Sequence, residues 1–377
     1  MGIKVKNSGK ASSKREKKKS SALLTAAFVM LSGETSAMTN FSQVIKAGGV
    51  KKARKSGCLR MREFDQMINY EKIKSVINQL ELEINNYNDG LLKTFPLKKY
   101  IDLIDKYPEH AGLQYRSSEV ERYCEDIVAS SNFQILELYH KLLIATLIST
   151  FENKLKNKKL PNEVKQYYFK DFNRIIGQIE NDTDFSGYYR YPNYFFSMDI
   201  SICNLRMFPI GGRKYHLSRF PIRKFLNKGG RQFVSILLFL IFEARGKEPF
   251  LRVHYDTHDP SFMDGFTLEG LIYSNRILAD VMKMNPQIRG KIGTSWIGDP
   301  QIERISPRLA YIRYFEIANG ARYFYLGPSD KAAKDATKKS STRRRLYNEG
   351  KYVPSDYLEA WSRKSLIKWT NKLKWYW

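Results

Sequence analysis

Apolar residues recur at helical spacing through the first half of the chain. Between residues 64 and 88 they step by three and four positions, as one buried face of an amphipathic helix requires. The same spacing marks three further stripes, over 97–107, 118–151 and 164–179. The polar group Ser130-Ser131-Asn132 is expected to divide the stripe in which it lies. The pattern therefore predicts a mostly helical region over 61–185, which ends in the turn-rich segment 181–187.

The second half alternates between strand patterns and helix patterns. Strands are predicted at 197–208, 216–220, 250–258, 288–297 and 321–326. Helices are predicted at 227–244, at 267–284 and from Ser306 to residue 315, with Ser306 as the N-cap. The apolar run 233–242 is too short to span a bilayer and suits a buried helix. The alternation predicts an α/β domain over 186–330 with a substantially parallel portion, so the fold class is α+β or α/β with a mixed sheet.

The positive charge of the chain lies mainly at its two ends. The 377 residues include 64 Lys and Arg against 38 Asp and Glu, a net charge of +26. Residues 1–60 hold 14 basic and 2 acidic side chains, and residues 321–377 carry a net +9. Residues 61–320, between these two ends, carry nearly equal numbers of basic and acidic side chains. The ends, not the whole surface, are therefore the candidates for binding nucleic acid or anionic lipid.

An apolar segment follows the first basic run. Residues 22–31 are too short to span a bilayer, but with Thr35-Ser36-Ala37 after them they resemble a secretory signal and its cleavage site. The basic region before them is long for such a signal, and three cysteines make no even disulfide framework. We therefore expect a flexible basic arm over 1–60 in a cytoplasmic protein, with export through 22–37 as the alternative.

Residues 331–377 combine basic and aromatic side chains and are predicted to form a Trp-rich helical extension. Arg343, Arg344 and Arg345 follow a Ser/Thr cap, a pattern that could hold a phosphate of a cofactor or of nucleic acid. Further along, tryptophans alternate with lysines. Stacking on bases, contact with a membrane surface and docking on the domain are all open for that segment.

The strand predicted at 250–258 carries the candidate catalytic side chains. Alternate residues point to one face of a strand, which places Arg252, His254, Asp256 and His258 together. His254 and Asp256 are the acid–base candidates. The three residues His254, Asp256 and His258 spread over about 13 Å, so only neighbours could share an ion, and no metal site is predicted. Ser295, at the end of the next predicted strand, and Trp296 after it are candidate pocket residues.

Two resemblances to known proteins appear in the second half. The segments Asn285-Pro286, Gly293-Thr294-Ser295-Trp296, 306–311 and 344–352 resemble a family of uncharacterised bacterial conserved proteins, over the C-terminal third of the chain. That family implies no activity.

Residues 249–327 resemble the GNAT acyltransferase fold. In that fold a strand, a helix, a splayed strand, a helix and a strand follow one another, and Ser306, Ala310, Tyr314 and Gly320-Ala321 match the order of its second helix. The resemblance implies that backbone N–H groups of a glycine-containing loop, here 259–270, hold the pyrophosphate of acyl-CoA. It also implies a phenolic acid at Tyr314. The loop here carries Asp259, Asp264 and Glu269, which depart from the family's pattern because carboxylates oppose a pyrophosphate.

These observations give three functional hypotheses. The first is an acyl-CoA-dependent acyltransferase-like protein of unknown substrate. Its residues are His254, Asp256 and Tyr314 for catalysis, and Arg343, Arg344, Arg345, Ser295 and Trp296 for the cofactor. The second is a nucleic-acid-binding protein that acts through its basic termini. The third is a non-catalytic protein whose helical half binds a partner protein. The sequence leaves open whether the chain is an enzyme.

Overall fold

The computed structural model describes residues 68–108, 118–182, 187–190, 193–257, 259 and 262–373. These residues belong to one compact unit, Glu63–Trp377. The arm predicted over 1–60, the signal-like segment 22–37 and His258 lie outside the described residues. Within the described ranges, no helix is both long enough and apolar enough to cross a membrane.

Helices fill the N-terminal half of the described chain, as the periodicity predicted. They are α1 (Tyr70–Tyr87), α2 (Leu91–Thr94), α3 (Leu97–Lys106), α4 (Ser118–Ser130), α5 (Phe133–Ser149), α6 (Phe151–Lys156), α7 (Asn162–Asn181) and α8 (Tyr194–Cys203). The predicted division of the third stripe is confirmed. The Asn132 side chain accepts a hydrogen bond from the N–H of Ile135 at 3.0 Å and so begins α5 after the break.

Among the residues that the structure describes, six strands form one mixed sheet. They are β1 (Met207–Ile210), β2 (Arg213–Ser218), β3 (Phe250–Tyr255), β4 (Gly290–Ser295), β5 (Ala321–Pro328) and β6 (Ser355–Ser362). Their order across the sheet is β1-β2-β3-β4-β6-β5. Only the β3–β4 pair is parallel, and the other four pairs are antiparallel. The prediction of a helical region followed by a mixed sheet is confirmed, but the parallel portion is a single pair.

The remaining helices connect or follow the strands. They are α9 (Gly230–Leu238), continued by a π-helical turn over Phe239–Ala244, then α10 (Leu268–Met284), α11 (Ile302–Ile305), α12 (Pro307–Ala318), α13 (Asp330–Lys338), α14 (Ser341–Asn348) and α15 (Arg363–Leu373). The helix predictions at 227–244, 267–284 and 306–315 are therefore confirmed within a few residues.

The sheet is covered on both faces. On one face Val253 and Trp361 pack into a large core that also contains side chains of α10, α15 and the N-terminal helices. On the other face α9 and its π-helical turn cover β3 to β6 with a second core. Its centre is aromatic, and it includes Phe220, Phe225, Phe239, Phe250 and Phe324. The helical half and the sheet thus share one hydrophobic core, which fixes where α7 and α8 lie against β1 and β2.

The strand predicted at 197–208 was wrong. Residues Tyr194–Cys203 form α8, and β1 begins only at Met207. The alternation of apolar and polar residues was misleading because both sets are buried, from Phe196 to Cys203. The polar Asp199 is buried against Arg174 at 2.8 Å, so its polarity does not mark a solvent face. Asn193 accepts hydrogen bonds from two backbone N–H groups and begins the helix.

The prediction of a wholly helical extension over 331–377 was also wrong. Residues Ser355–Ser362 form β6, which lies between β4 and β5. Its alternation places Glu359 on the same face as Trp361, and both are buried. A buried carboxylate in line with apolar side chains hides the period of a strand from a hydrophobicity pattern.

The apolar run 233–242 does not form the fully buried helix that its composition suggested. Val234, Ile241 and Phe242 are exposed, while Ile236, Phe239 and Leu240 face the sheet. The run is therefore apolar on both its core side and its outer side.

Candidate functional site

The hydrogen-bonded ladder between β3 and β4 ends halfway along the two strands. The parallel ladder runs only from Phe250 opposite Gly290 to Arg252 opposite Ile292. Beyond it, β3 stays paired with β2 and β4 stays paired with β6. We call the space between 253–255 and 293–295 the strand gap. A ladder that ends early leaves backbone N–H and C=O groups directed at such a gap, where an extended ligand with amide groups could bond them.

Gly293 sets the width of the strand gap on the face that α10 covers. A Cβ atom at this position would lie 2.7 Å from Cγ1 of Val253. Only glycine therefore lets the Val253 side chain stand beside β4 without pushing the strands apart.

Two histidines and a tyrosine lie together on the opposite face, at the border of the strand gap. Nε2 of His254 is 2.9 Å from Nδ1 of His216. Nδ1 of His254 forms a hydrogen bond with the hydroxyl of Tyr194, the first residue of α8. Arg252 lies on the same face and its Nε donates to Ser218 at 3.2 Å. We call Tyr194, His216, Arg252 and His254 the histidine cluster.

The surroundings of His254 disfavour its protonated form. Burial lowers the pKa of His254 well below its usual value, and the charges of His216, Arg252 and Lys331 lower it further. The imidazole of His254 is therefore neutral near pH 7 and can accept a proton. The hydrogen bonds on its two nitrogens join partly exposed Tyr194 to buried His216. Such a chain can pass a proton between its ends.

Asp256 joins the histidine cluster to a network of buried charges. Its carboxylate lies 3.8 Å from Arg174 of α7. Its charge also raises the pKa of Tyr194, second to the effect of burial. The predicted catalytic pair His254 and Asp256 therefore comes to one side of the sheet, with Tyr194 bonded to the first and influenced by the second.

The buried charge network consists of four aspartates and two cations. It comprises Asp171, Arg174, Asp199, Lys214, Asp256 and Asp259. Lys214 is fully buried and lies 2.7 Å from Asp171 and 3.1 Å from Asp259. Because Lys214 belongs to β2 and Asp171 to α7, the network fixes the helical half against the strands that carry the histidines.

A second charged cluster lies on the other face, beside Gly293. Lys291 is 2.6 Å from Glu359 and 3.1 Å from Glu316, and Asn275 accepts a hydrogen bond from it at 3.2 Å. Burial, and then the charge of Glu316, raise the pKa of Glu359 to about 7. Two carboxylates share one lysine here, so one of them is protonated over part of the physiological pH range.

Arg343, Trp296 and Ser306 meet away from the histidine cluster. The guanidinium of Arg343 stacks on the Trp296 ring, 4.8 Å from its centroid. It also donates to the hydroxyl of Ser306 at 2.9 Å and to the carbonyl of Ala336. Arg343 is buried, and its side chain joins α13 and α14 to the start of α12. Ser306 stands at the N-cap position of α12 as predicted, but its hydroxyl receives Arg343 instead of capping the helix.

The other two arginines of the triplet lie on the surface. Arg344 donates to the carbonyls of Thr337 and Lys338, and Arg345 pairs with Glu349 at 3.4 Å. Both border a shallow, open depression of about 380 Å³. Ser295 accepts a hydrogen bond from the N–H of Ile297 at 3.1 Å, which begins a single 3₁₀ turn at the end of β4. The cofactor-binding roles of Arg343, Arg344, Arg345, Ser295 and Trp296 stay predictions.

The third catalytic candidate, Tyr314, lies on α12 beside Asp299 and Arg313. These side chains line a cavity of about 10 Å³, which has room for one water molecule at most. Tyr314 therefore lies on α12, beside the residues that follow β4, whereas His254 lies on β3.

The loop before α10 carries the three carboxylates that depart from the acyltransferase pattern. Asp259 is buried, and Lys214 neutralises it. Asp264 and Glu269 are exposed at the start of α10, where Thr267 accepts a hydrogen bond from the N–H of Gly270 at 3.0 Å. Of the three carboxylates, Asp259 therefore forms an ion pair within the chain, with Lys214.

Sequence reasoning missed Tyr194, His216 and Lys214. Tyr194 comes just before the strand predicted at 197–208, and in the structure it begins α8. Lys214 lies before the predicted strand 216–220, because β2 begins earlier, at Arg213, and the contact of His216 with His254 depends on the pairing of β2 with β3. A register between strands that are 38 residues apart leaves no local signal in the sequence.

The structure predicts that Arg343 and Arg344 respond differently to the same substitution. We expect Arg343→Lys to lower the free energy of unfolding by about 2 kcal/mol, because lysine cannot stack on Trp296 and bond Ser306 and Ala336 together. The matched variant Arg344→Lys should cost less than about 0.5 kcal/mol at its exposed position. Urea denaturation of both variants measures this. Equal costs would show that the Trp296 contact contributes nothing.

Comparison of the chain with protein-family models, with curated proteins and with solved structures found no match. Among the residues that the structure describes, no three His, Cys, Asp or Glu side chains are arranged to hold a metal ion.

Proposed function

We propose that this chain is an acyl-CoA-dependent acyltransferase of the GNAT type. The observation that carries the proposal is the strand gap. It lies between β3 and β4 within the order β3, α10, β4, the short α11, α12 and β5, and the GNAT fold places its splayed strand in a similar order. An acyl-CoA molecule has amide groups in its extended arm, and the strand gap offers backbone edges suited to them.

The histidine cluster supports the chemistry of the transfer. Acyl-CoA supplies an activated acyl thioester, and an acceptor amine or hydroxyl must lose a proton as it attacks. The Tyr194 oxygen takes that proton while its own proton passes to Nδ1 of His254. Arg252 and the burial of His254 disfavour the imidazolium, so His254 then releases the proton to the departing thiolate or to water. The acceptor gains the acyl group, and free CoA thiol is the second product.

Acid catalysis in this proposal has two candidates. Tyr314 is the acid that the family resemblance implies, and His254 is the residue that borders the strand gap. Asp256 acts through Tyr194 and Arg174, so it is a positioning residue in this scheme.

Ligand binding and chemistry can be tested separately. We expect acetyl-CoA or a longer acyl-CoA, at about a hundred times its dissociation constant, to raise the free energy of unfolding by about 3 kcal/mol. Thermal denaturation with each acyl-CoA measures this. Absence of any stabilisation by the acyl-CoAs, in a folded sample, would contradict the proposal.

Release of free thiol from acyl-CoA then reports the chemistry. We expect His254→Gln to keep the stabilisation by acyl-CoA but to lower the rate of thiol release about 100-fold or more, because the proton acceptor is lost. Tyr314→Phe is the comparison variant. A large loss with Tyr314→Phe and none with His254→Gln would move the proton transfer away from the histidine cluster.

A further inference from the structure

The outer side of α9 carries a group of exposed apolar side chains. Leu226, just before the helix, is 61% exposed, Val234 is 54% exposed, and Ile241 and Phe242 are each 60% exposed. We call these four the apolar face. The π-helical turn over Phe239–Ala244 adds a residue to the helix, so two consecutive side chains, Ile241 and Phe242, both point outward.

Basic residues flank the apolar face along the chain, and we call them the basic rim. Between residues 219 and 248 there are seven basic and two acidic side chains. The two acidic side chains are already paired, Glu243 with Arg322 at 3.0 Å and Glu248 with Arg219. All seven basic side chains are exposed: Arg219, which pairs with Glu248, and Arg223, Lys224, Lys228, Arg231, Arg245 and Lys247. The segment therefore presents apolar side chains that the basic rim flanks along the chain.

The helix that carries the apolar face is held firmly to the domain. Ile236, Phe239 and Leu240 pack into the aromatic core on the sheet. The Gln232 side chain accepts a hydrogen bond from the N–H of Tyr325 at 2.8 Å and donates one to its carbonyl at 2.9 Å. Because β5 is an edge strand, Gln232 fixes α9 along the edge of the sheet. The exposed apolar side chains are thus a fixed surface and not a loose end.

We propose that the apolar face and its basic rim bind the surface of an anionic lipid bilayer. Apolar side chains flanked by Lys and Arg are the arrangement that inserts into the boundary between headgroups and acyl chains while the cations meet anionic headgroups. Self-association through the same patch would bring two rims of like charge together, which opposes a symmetric dimer. Nucleic acid would use the basic rim but would leave Ile241 and Phe242 exposed to water. The proposal does not depend on the acyltransferase activity.

Co-sedimentation of the full chain with vesicles tests the proposal. Vesicles of phosphatidylcholine alone are compared with vesicles that also contain phosphatidylserine. We expect binding only to the second kind. The double variant Ile241→Ser/Phe242→Ser should lower the partition coefficient about tenfold or more, because two inserted side chains are lost. Lys224→Gln and Lys228→Gln should each lower it about fivefold.

The control variant is Leu82→Ser, at a position on α1 that is 62% exposed. It should bind vesicles as the natural chain does. The N-terminal arm, with its basic runs and its apolar segment 22–31, can also attract anionic lipid, but the double variant leaves the arm unchanged. Equal partitioning of the double variant and Leu82→Ser would overturn the proposal. Loss of a dimer in the double variant, measured by light scattering and without a change in vesicle binding, would overturn it in favour of a second copy.

If the double variant fails to fold, Val234→Ser provides the same test with one side chain. Circular dichroism decides which of the two is used. Val234→Ser should lower the partition coefficient severalfold, and partitioning equal to that of Leu82→Ser would again overturn the proposal.

Discussion

Replacing Lys214 by methionine should lower the free energy of unfolding by about 3–5 kcal/mol. Lys214 is fully buried between Asp171 and Asp259, at 2.7 and 3.1 Å. Burial alone would lower the pKa of this lysine, but the two carboxylates hold it above its usual value. Methionine keeps most of the volume and removes the charge. Two buried carboxylates then lose their shared cation, which is far more costly than the loss of a surface pair.

Chemical denaturation of three variants measures the effect. Lys224→Met changes an exposed lysine in the same way and should cost less than about 0.5 kcal/mol. The double variant Lys214→Met/Asp171→Asn should be less destabilised than the sum of the two single variants, by about 1–3 kcal/mol, because the residues are in contact. A Lys214→Met cost equal to that of Lys224→Met would show that the network does not join the helical half to the sheet.

The contribution of Glu359 to the stability of the folded chain should fall as pH rises from about 4.5 to about 7. Burial and the neighbouring Glu316 raise the pKa of Glu359 from 4.5 to about 7. The folded state therefore keeps a proton that the unfolded chain has already lost. The contribution of Glu359 is most favourable below about pH 4.5 and is lost as pH rises through about 7. Its size is about 3 kcal/mol.

Glu359→Gln isolates this contribution, because glutamine has no proton to lose. We expect the free energy of unfolding of Glu359→Gln, relative to the natural chain, to rise by up to about 3 kcal/mol between pH 5 and pH 8. Glu81→Gln, at an exposed position on α1, is the control and should show the same difference at both pH values. A constant difference for Glu359→Gln would mean that Lys291 keeps both carboxylates ionised.

Local patterns were sufficient for most of the helices and strands. Helical periodicity located α1, α5, α7 and α10, and strict alternation located β3. Patterns failed where polar residues are buried. Asp199 in α8 and Glu359 in β6 both have charged partners from distant parts of the chain, so neither marks a solvent face. A hydrophobicity pattern treats every charge as exposed, and buried ion pairs break that assumption.

The candidate site was visible in part. His254 and Asp256 could be grouped because they alternate on one predicted strand. The partners of His254 could not be found, because His216 comes from the neighbouring strand and Tyr194 from a helix read as a strand. Arg343 shows the opposite failure. Its motif suggests an anion site, while the structure uses its guanidinium to join three helices.

The position of β6 has a consequence for how the chain folds during synthesis. Among the described strands β6 comes last in the chain, yet it lies between β4 and β5. Until residues 355–362 leave the ribosome, β4 and β5 each lack a neighbour and expose an unpaired edge. At this stage of synthesis β1 to β5 have all been made, but no strand yet joins β4 to β5. At that stage the two unpaired edges are open to pairing with other chains.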